Sequence, residues 1–355
     1  MNAKRWVSTK MLLVFLFLLI IGCFNYVVDP NGVYSNRNNY EFIPEKLFSS
    51  KHGLVLSGND RNLKFALAQS DLSNFGCVIL GSSHVMQISS VRNTGGIESK
   101  CGRLLNLGVS GGSIEDVAIF SYRIIHNKNK PKSVLIGVDP WTLKFGMDSR
   151  YKVYEIYFEE MQNLLGFNLK SSSSSYFYRL AKNLINKEYF IASLRFLNRG
   201  KSVGVSYPHS SFTYENGYVE SVTLPDGSLV HSNDYIEDAK KSISKKREYS
   251  YKLNRDAYHR SAVSFFIQVV ELLRKNNIEV ELIMTPYAPK VFLEDETKVV
   301  SYLKVVDRVV RDFSLRNNLK VYGSFFPSVI GCENYEFYDY MHAMNECLNR
   351  IDISR

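Results

Sequence analysis

The stretch Cys77-Val78-Ile79-Leu80-Gly81-Ser82-Ser83-His84-Val85-Met86-Gln87 decides how the chain is read. Four uninterrupted apolar residues ending in glycine and two hydroxyls describe a strand buried on both faces that stops in a tight polar turn. In open α/β sheets the loops at the carboxyl ends of such strands are where ligands bind. Gly-Ser-Ser is equally an ordinary way to leave a strand, because glycine and serine serve turns for conformational reasons alone. The surrounding sequence has to decide between the two.

Downstream, the short apolar run Leu104 to Leu107 leads into Gly108-Val109-Ser110-Gly111-Gly112-Ser113. Ser113 is a good N-cap for a helix over Ile114 to Ile125, whose Glu115 and Asp116 suit the positive helix end. Ser133 to Val138 is a further buried strand, followed by Asp139-Pro140-Trp141. Strand, loop, helix, strand is the βαβ pattern of a parallel sheet. The same rhythm returns late in the chain, with a helix over Ala257 to Lys275, a strand over Glu279 to Met284, a helix over Thr297 to Asn317 and a short strand over Lys320 to Tyr322. Then comes Phe337-Tyr338-Asp339-Tyr340-Met341-His342, with a helix expected from Ala343 to Ile351. Between the two halves, residues 144–256 are rich in Tyr, Phe, Ser and Asn, contain the polar run Ser171 to Ser175, and carry hairpin signals at Asn216-Gly217 and Asp226-Gly227. They read as an insertion with helical and β-hairpin parts, whose aromatics either pack on the core or contact sugars.

The N-terminus adds an anchor. Lys4, Arg5 and Lys10 precede Met11 to Val28, an apolar run broken only by Gly22, Cys23, Asn25 and Tyr26. Its length suits a bilayer span, and the flanking positive charges orient the N-terminus to the cytoplasm. Ile20-Ile21-Gly22-Cys23 loosely resembles a lipoprotein processing site, but the apolar residues continue past Cys23, which favours an uncleaved helix. Division of the chain follows: 1–28 cytoplasmic tip and anchor, 29–75 a polar juxtamembrane approach, 76–143 and 257–355 the two halves of an α/β core, and 144–256 the insertion. Everything after Asp29 is expected outside the cytoplasmic membrane, where disulfides form. Cys332 and Cys347 bracket a short segment that a bridge would staple, whereas Cys77, inside a strand, reads at least as well as a reduced buried thiol. The cysteine spacing fits no zinc motif, and no metal or cofactor is called for. The chain of 355 residues carries a net charge of +9, densest at Lys240, Lys241, Lys245, Lys246 and Arg247. A solvated helix face accounts for that cluster, an anionic glycan or lipid surface being the functional alternative. No nucleic-acid module is present in the sequence.

Taken in order, Gly81-Ser82-Ser83, Asn106-Leu107-Gly108-Val109-Ser110-Gly111, Gly137-Val138-Asp139 and Asp339-Tyr340-Met341-His342 resemble the blocks of the SGNH (GDSL-like) hydrolase superfamily. With the anchor and the exit Asn25-Tyr26-Val27-Val28-Asp29-Pro30, the chain is similar to the membrane-anchored members that modify cell-envelope polymers, such as the teichoic acid D-alanylation protein and the alginate acetylation proteins. The resemblance covers the anchor and both core halves but not the insertion. It implies a three-layer α/β/α fold of flavodoxin-like type with a parallel sheet, Ser83 as nucleophile, and an oxyanion hole from the backbone N–H groups of Ser83 and Gly111.

The chemistry of these residues stands beside the name. A serine hydroxyl is a poor nucleophile until a base takes its proton, and a histidine is the better base when a carboxylate fixes its tautomer. Asp339, three residues before His342, can reach the imidazole Nδ1 and leave Nε2 for the nucleophile. Gly111, without a Cβ, lets the backbone approach a substrate. Asp139 stands where many members carry an asparagine that donates to the oxyanion; a carboxylate there repels the developing charge unless it is protonated or turned away. A rival nucleophile is Ser110, because Gly108-Val109-Ser110-Gly111-Gly112 satisfies the Gly-x-Ser-x-Gly elbow of α/β-hydrolases. Three functions are therefore expected to compete: an acyl transferase acting on a surface polysaccharide, an esterase removing the same groups, and a non-catalytic glycan-binding or assembly subunit. Transfer would need a multi-span membrane partner to bring the acyl donor across the bilayer, since one helix cannot.

Overall fold

A computed structural model describes residues 3–29, 43–55, 60–92, 96–167, 184–185, 187–198, 205–206, 221–243, 257–293 and 298–353. The polar run 171–175, the hairpin signal at Asn216-Gly217, the exit residues 30–34 and the basic residues Lys245, Lys246 and Arg247 lie outside them. Elements of the first half are α1 (Ala3–Val28), α2 (Ile43–Ser49), β1 (Leu54–Val55), α3 (Asp60–Gln69), β2 (Cys77–Leu80), α4 (Gly96–Cys101), β3 (Leu104–Asn106), α5 (Ile114–Ile125) and β4 (Ser133–Gly137). Then follow α6 (Glu155–Leu164), α7 (Lys187–Asn198), β5 (Val205–Ser206), β6 (Val222–Thr223), β7 (Leu229–Val230) and α8 (Asn233–Ile243). The second half of the core supplies α9 (Arg260–Lys275), β8 (Glu279–Met284), α10 (Lys298–Arg316), β9 (Val321–Gly323), α11 (Pro327–Ile330) and α12 (Asn345–Leu348).

β2, β3, β4, β8 and β9 form one parallel sheet in the order β3-β2-β4-β8-β9. Both faces are covered, which is why the strands read as continuous apolar runs rather than alternating ones. Val78, Leu80, Val134, Ile136, Leu282 and Met284 point into the larger apolar cluster with α3, α5, α9 and α10. Cys77, Ile79, Leu104, Leu135 and Ile283 point the other way, into a smaller cluster with Ile97, Phe337, Leu348 and Ile351. From β2 the chain steps to β3 on one side and then returns to β4 on the other, so the strand order reverses between β2 and β4. A crevice opens where two successive connections diverge in this way, and the Gly81-Ser82-Ser83 turn lies at its edge.

The approach segment is more structured than its polar composition suggests. α3 is buried along most of its length because its charges are paired inside the protein: Arg61 donates to both oxygens of Asp116 at 2.8 and 2.9 Å. Lys64 donates to the carbonyls of Asn106, at 2.8 Å, and Gly227. Burial lowers the Lys64 ammonium to about 8 against the pull of Asp60 and Asp226. β1 also leaves the approach segment, pairing antiparallel with β5 and β6 of the insertion in a second sheet of order β5-β1-β6-β7. The expected hairpin at Asp226-Gly227 joins β6 to β7, with Gly227 at φ +80° where a side chain would be strained and would meet the Asn106 carbonyl.

Two further expectations change. The C-terminal helix is confined to Asn345–Leu348, because Ala343 is spent in an antiparallel bridge with Phe337 and the His342 carbonyl accepts from the Tyr338 N–H. Cys77 is not a reduced thiol: it is bonded to Cys101 at the end of α4, both side chains lying in the smaller cluster. Cys332 and Cys347 are bonded to each other. α1 is a single helix in which Arg5–Val28 is long and apolar enough to cross a membrane, its most apolar 18 residues having a mean hydropathy of 2.7; an N-terminal signal sequence meets the same criterion.

Candidate active site

Ser83 opens the turn 83–87 after β2, and His342 lies in the segment that follows α11, 259 residues later in the chain. Their side chains meet, Ser83 Oγ lying 2.8 Å from His342 Nε2. On the other side of the ring, His342 Nδ1 is 2.6 Å from Asp339 Oδ2. The second Asp339 oxygen accepts from the backbone N–H groups of Met341 and His342, both at 2.8 Å, so the carboxylate caps its own loop. With Nδ1–H given to Asp339, Nε2 is left as the acceptor and the Ser83 hydroxyl is the donor. Burial works to raise the Asp339 carboxyl, but the hydrogen bonds and charge of His342 and the two N–H groups outweigh it and hold it below the ordinary carboxylate value. Serine, histidine and aspartate thus form one hydrogen-bonded chain able to pass a proton from the hydroxyl to the ring and to stabilise the imidazolium that results.

The sequence spacing alone does not single out His342, since Asp256 also precedes His259 by three residues. His259 instead lies just before α9, its N–H bonded to the Leu143 carbonyl at 2.9 Å.

The loop around Gly111 is brought against the same turn. Val109 N–H donates to the Gly81 carbonyl at 3.0 Å, and a Cβ on Gly112 would come within 2.5 Å of that oxygen. Asn106 holds the geometry from below, donating to the carbonyls of Val85 and Ile88 at 2.8 Å each and accepting from Gly108 N–H at 2.9 Å. Gly111 has φ +59°, and a Cβ there would lie 2.1 Å from Arg150 Nη2 and 2.7 Å from Asp148 Oδ2. The paired Arg150 and Asp148, from the insertion, therefore cover this glycine closely. Among the described residues, neither the Ser83 nor the Gly111 N–H has an acceptor within the protein.

Ser110 is placed differently. Its N–H donates to Asp60 at 2.5 Å, and among the described residues no hydrogen bond joins its side chain to a histidine. Its φ is not positive. The strained backbone that lifts the serine of a nucleophile elbow toward a catalytic base is absent at this position.

Asp139 is turned into the protein. It is 3% exposed, accepts from the side chain and backbone of Ser82, and lies 3.2 Å from Nδ1 of His84. Burial pushes its carboxyl up to about 7, against the lowering effect of the Ser82 hydrogen bonds. His84, which directly follows the Gly-Ser-Ser turn, was not singled out by the sequence reading. Its ring is fully buried between Trp141 and Tyr287, and burial, with the nearby His342, drives its pKa well below the usual histidine value.

The insertion also reaches the histidine. Tyr338 stacks on the His342 ring at 5.2 Å, His231 meets Tyr338 edge-on at 5.0 Å, and Tyr235 stacks on His231 at 4.3 Å. Burial lowers His231 to about 4, so the ring is neutral near pH 7. The outermost ring, Tyr235, is 49% exposed, which makes it the solvent-facing end of an aromatic ledge leading to the triad.

No protein-family model matches the chain, and no curated protein matches it.

Proposed function

We propose that this chain is a membrane-anchored SGNH-type serine enzyme that moves O-acyl groups, in the simplest case acetyl, on or off a cell-envelope or extracellular polysaccharide. The observation that carries the proposal is the hydrogen-bonded chain Ser83–His342–Asp339 at the carboxyl end of a central parallel strand. In this reading the sheet with its two covered faces is the three-layer α/β/α arrangement of that superfamily. α1 is an uncleaved span with its N-terminus in the cytoplasm, and the α/β body is extracytoplasmic.

Chemistry follows from the geometry. Ser83 Oγ attacks the ester carbonyl carbon while its proton passes to His342 Nε2, and Asp339 stabilises the resulting imidazolium. The carbonyl oxygen becomes an oxyanion received by the N–H groups of Ser83 and Gly111. Collapse breaks the ester C–O bond, the leaving alkoxide takes the proton from Nε2, and an acyl-serine remains. A water or a sugar hydroxyl then gives its proton to Nε2 as its oxygen attacks the acyl carbon, and collapse breaks the bond to Ser83 Oγ, which takes the proton back from Nε2. Water makes the protein an esterase and a sugar makes it a transferase, and the second case requires a multi-span partner that presents the acyl donor. The ledge ending at Tyr235 supports a sugar acceptor, since a pyranose ring packs its C–H face on an aromatic one. Asp139, occupied by Ser82 and His84, gives no support to a non-catalytic role. Neither does its position favour it as a third oxyanion donor.

Mass spectrometry of the protein after incubation with p-nitrophenyl acetate tests the proposal. An added acetyl group on the peptide carrying Ser83, absent from Ser83→Ala, is expected. Acetylation of Ser110, or of no serine in a folded protein, overturns it.

A further inference from the structure

The end of α1 is not bare. Asn25, four residues before Asp29, is fully buried although it lies within the apolar run. Its amide donates to the Leu184 carbonyl at 2.7 Å and its oxygen accepts from Ser193 at 2.9 Å, Ser193 being equally buried. Phe24 meets Phe190 edge-on at 5.4 Å, and Leu184 lies beside Gly22, at 3.8 Å from where a Cβ would stand. Each polar atom of this contact that a bilayer could not hydrate is thus given a protein partner, which is the requirement for polar groups at membrane depth.

Gly22 to Val28 is seven residues of helix, six rises or roughly 9 Å along the axis. The 24 residues Arg5–Val28 span roughly 36 Å against a hydrocarbon core of about 30 Å. The segment that contacts Gly22, Phe24 and Asn25 is therefore held at the level where acyl chains give way to headgroups. On α7, residues 190, 193, 194 and 197 follow the i, i+3, i+4, i+7 spacing of one helical face. Phe190 and Ser193 use that face against α1. Leu194 and Leu197 continue it beyond the contact and are 42% and 55% exposed, with Ile185 at 53% beside the point of entry.

We propose that α7 lies in the membrane interface beside the end of the span, with Leu194 and Leu197 in the acyl-chain region. The occupant of this apolar stripe is lipid, because the stripe is continuous with the contact on α1 and α1 is itself surrounded by lipid in the anchor reading, on which this inference rests. The insertion would then do more than decorate the core. It ties the α/β body to the bilayer at a second point, fixing its height and rotation about α1.

The test uses the full chain carrying Cys23→Ser, reconstituted in phosphatidylethanolamine–phosphatidylglycerol vesicles. Nitroxide labels are placed singly at Leu194→Cys and Leu197→Cys, with Leu16→Cys as the mid-span reference and Tyr335→Cys, 72% exposed on the body, as the solvent reference. Circular dichroism confirms each labelled protein folded. Collision with oxygen, which partitions into lipid, and with a water-soluble nickel chelate is then measured. Oxygen access exceeding chelate access at Leu194 and Leu197, shifted toward the Leu16 value, supports the inference. A lipid signal at Leu16 with solvent signals at Leu194 and Leu197 overturns it and leaves the anchor standing. Low access to both reagents at Leu194 and Leu197 also overturns it, in favour of protein covering the stripe. A solvent signal at Leu16 overturns anchor and inference together.

Discussion

His84 stands edge-on to His342, ring centroids 4.9 Å apart and planes 68° from parallel. The imidazole that faces Ser83 is therefore backed by a second, buried imidazole, and Tyr338 stacks on it. A ring confined in this way can exchange protons with Ser83 without leaving the orientation that Asp339 imposes. Such preorganisation is what separates a catalytic hydrogen bond from an incidental one.

Loss of any member of the chain should be severe and non-additive. Ser83→Ala and His342→Ala should each lower kcat on a model ester on the order of 10⁴-fold, and the double variant little further. Asp339→Asn should fall in the same range, since an amide can hold the wrong tautomer and cannot stabilise the imidazolium. Ser110→Ala should stay within a few-fold of the parent. Initial rates with the four purified variants check this, and a Ser110 variant as inactive as Ser83→Ala would defeat it.

Gly111 should tolerate nothing larger. An alanine would strain a left-handed backbone by about 1 kcal/mol and would press its methyl into the Arg150–Asp148 pair. Gly111→Ala should lower kcat more than it raises KM, because the N–H it displaces acts on the oxyanion rather than on the bound ester. Steady-state kinetics separate the two effects, with thermal unfolding as the check on folding.

Asp139 should make stability fall as pH rises. Its folded pKa of about 7 lies above the unfolded value of 3.8, so the folded state holds a proton that the unfolded state has released. The stabilising contribution of that proton is full below about pH 4 and is lost as pH rises through about 7, a span worth on the order of 4 kcal/mol. Asp139→Asn, which keeps the shape without the charge, should therefore gain stability over the parent at pH 8 and lose that advantage near pH 4. Urea unfolding across this range gives the answer; equal pH slopes for the two proteins would refute the assignment.

Removal of the Cys332–Cys347 bond should cost roughly 3 kcal/mol, the value expected for a loop of about this length. The bond closes the segment that carries Asp339 and His342, so Cys332→Ala/Cys347→Ala should lose activity at temperatures where the body of the protein is still folded. Parallel inactivation and unfolding curves, coinciding rather than separated, would show that the bridge has no local role.

The sequence was most legible where burial left no choice of residue. β2 and β4 are apolar on both sides because both faces of the sheet are covered, and β8 (Glu279–Met284) stands as expected although it buries Glu281, paired with Lys100 and Tyr322. Ser83, Asp339 and His342 were legible through the order of their blocks rather than through any one of them. α3 was missed because its buried residues include Arg61, Asn62 and Lys64, and the two cations read as solvated until their partners Asp116 and two carbonyls are in place. Of the sheet β5-β1-β6-β7 only the β6–β7 hairpin was legible, from Asp226-Gly227; β1 and β5 were missed for a different reason, since strands of two residues carry no period. His84 had a signal, its position directly after the turn, but one histidine in an apolar stretch says nothing about whether it faces a substrate or the core.

All four bonded cysteines are at most 5% exposed. Once the sheet has packed, neither an oxidant nor a reductant in the surroundings can reach them without opening the smaller cluster. Exchange at either bond therefore waits on a local opening of that cluster, so both should outlast an exposed disulfide in a mild reductant.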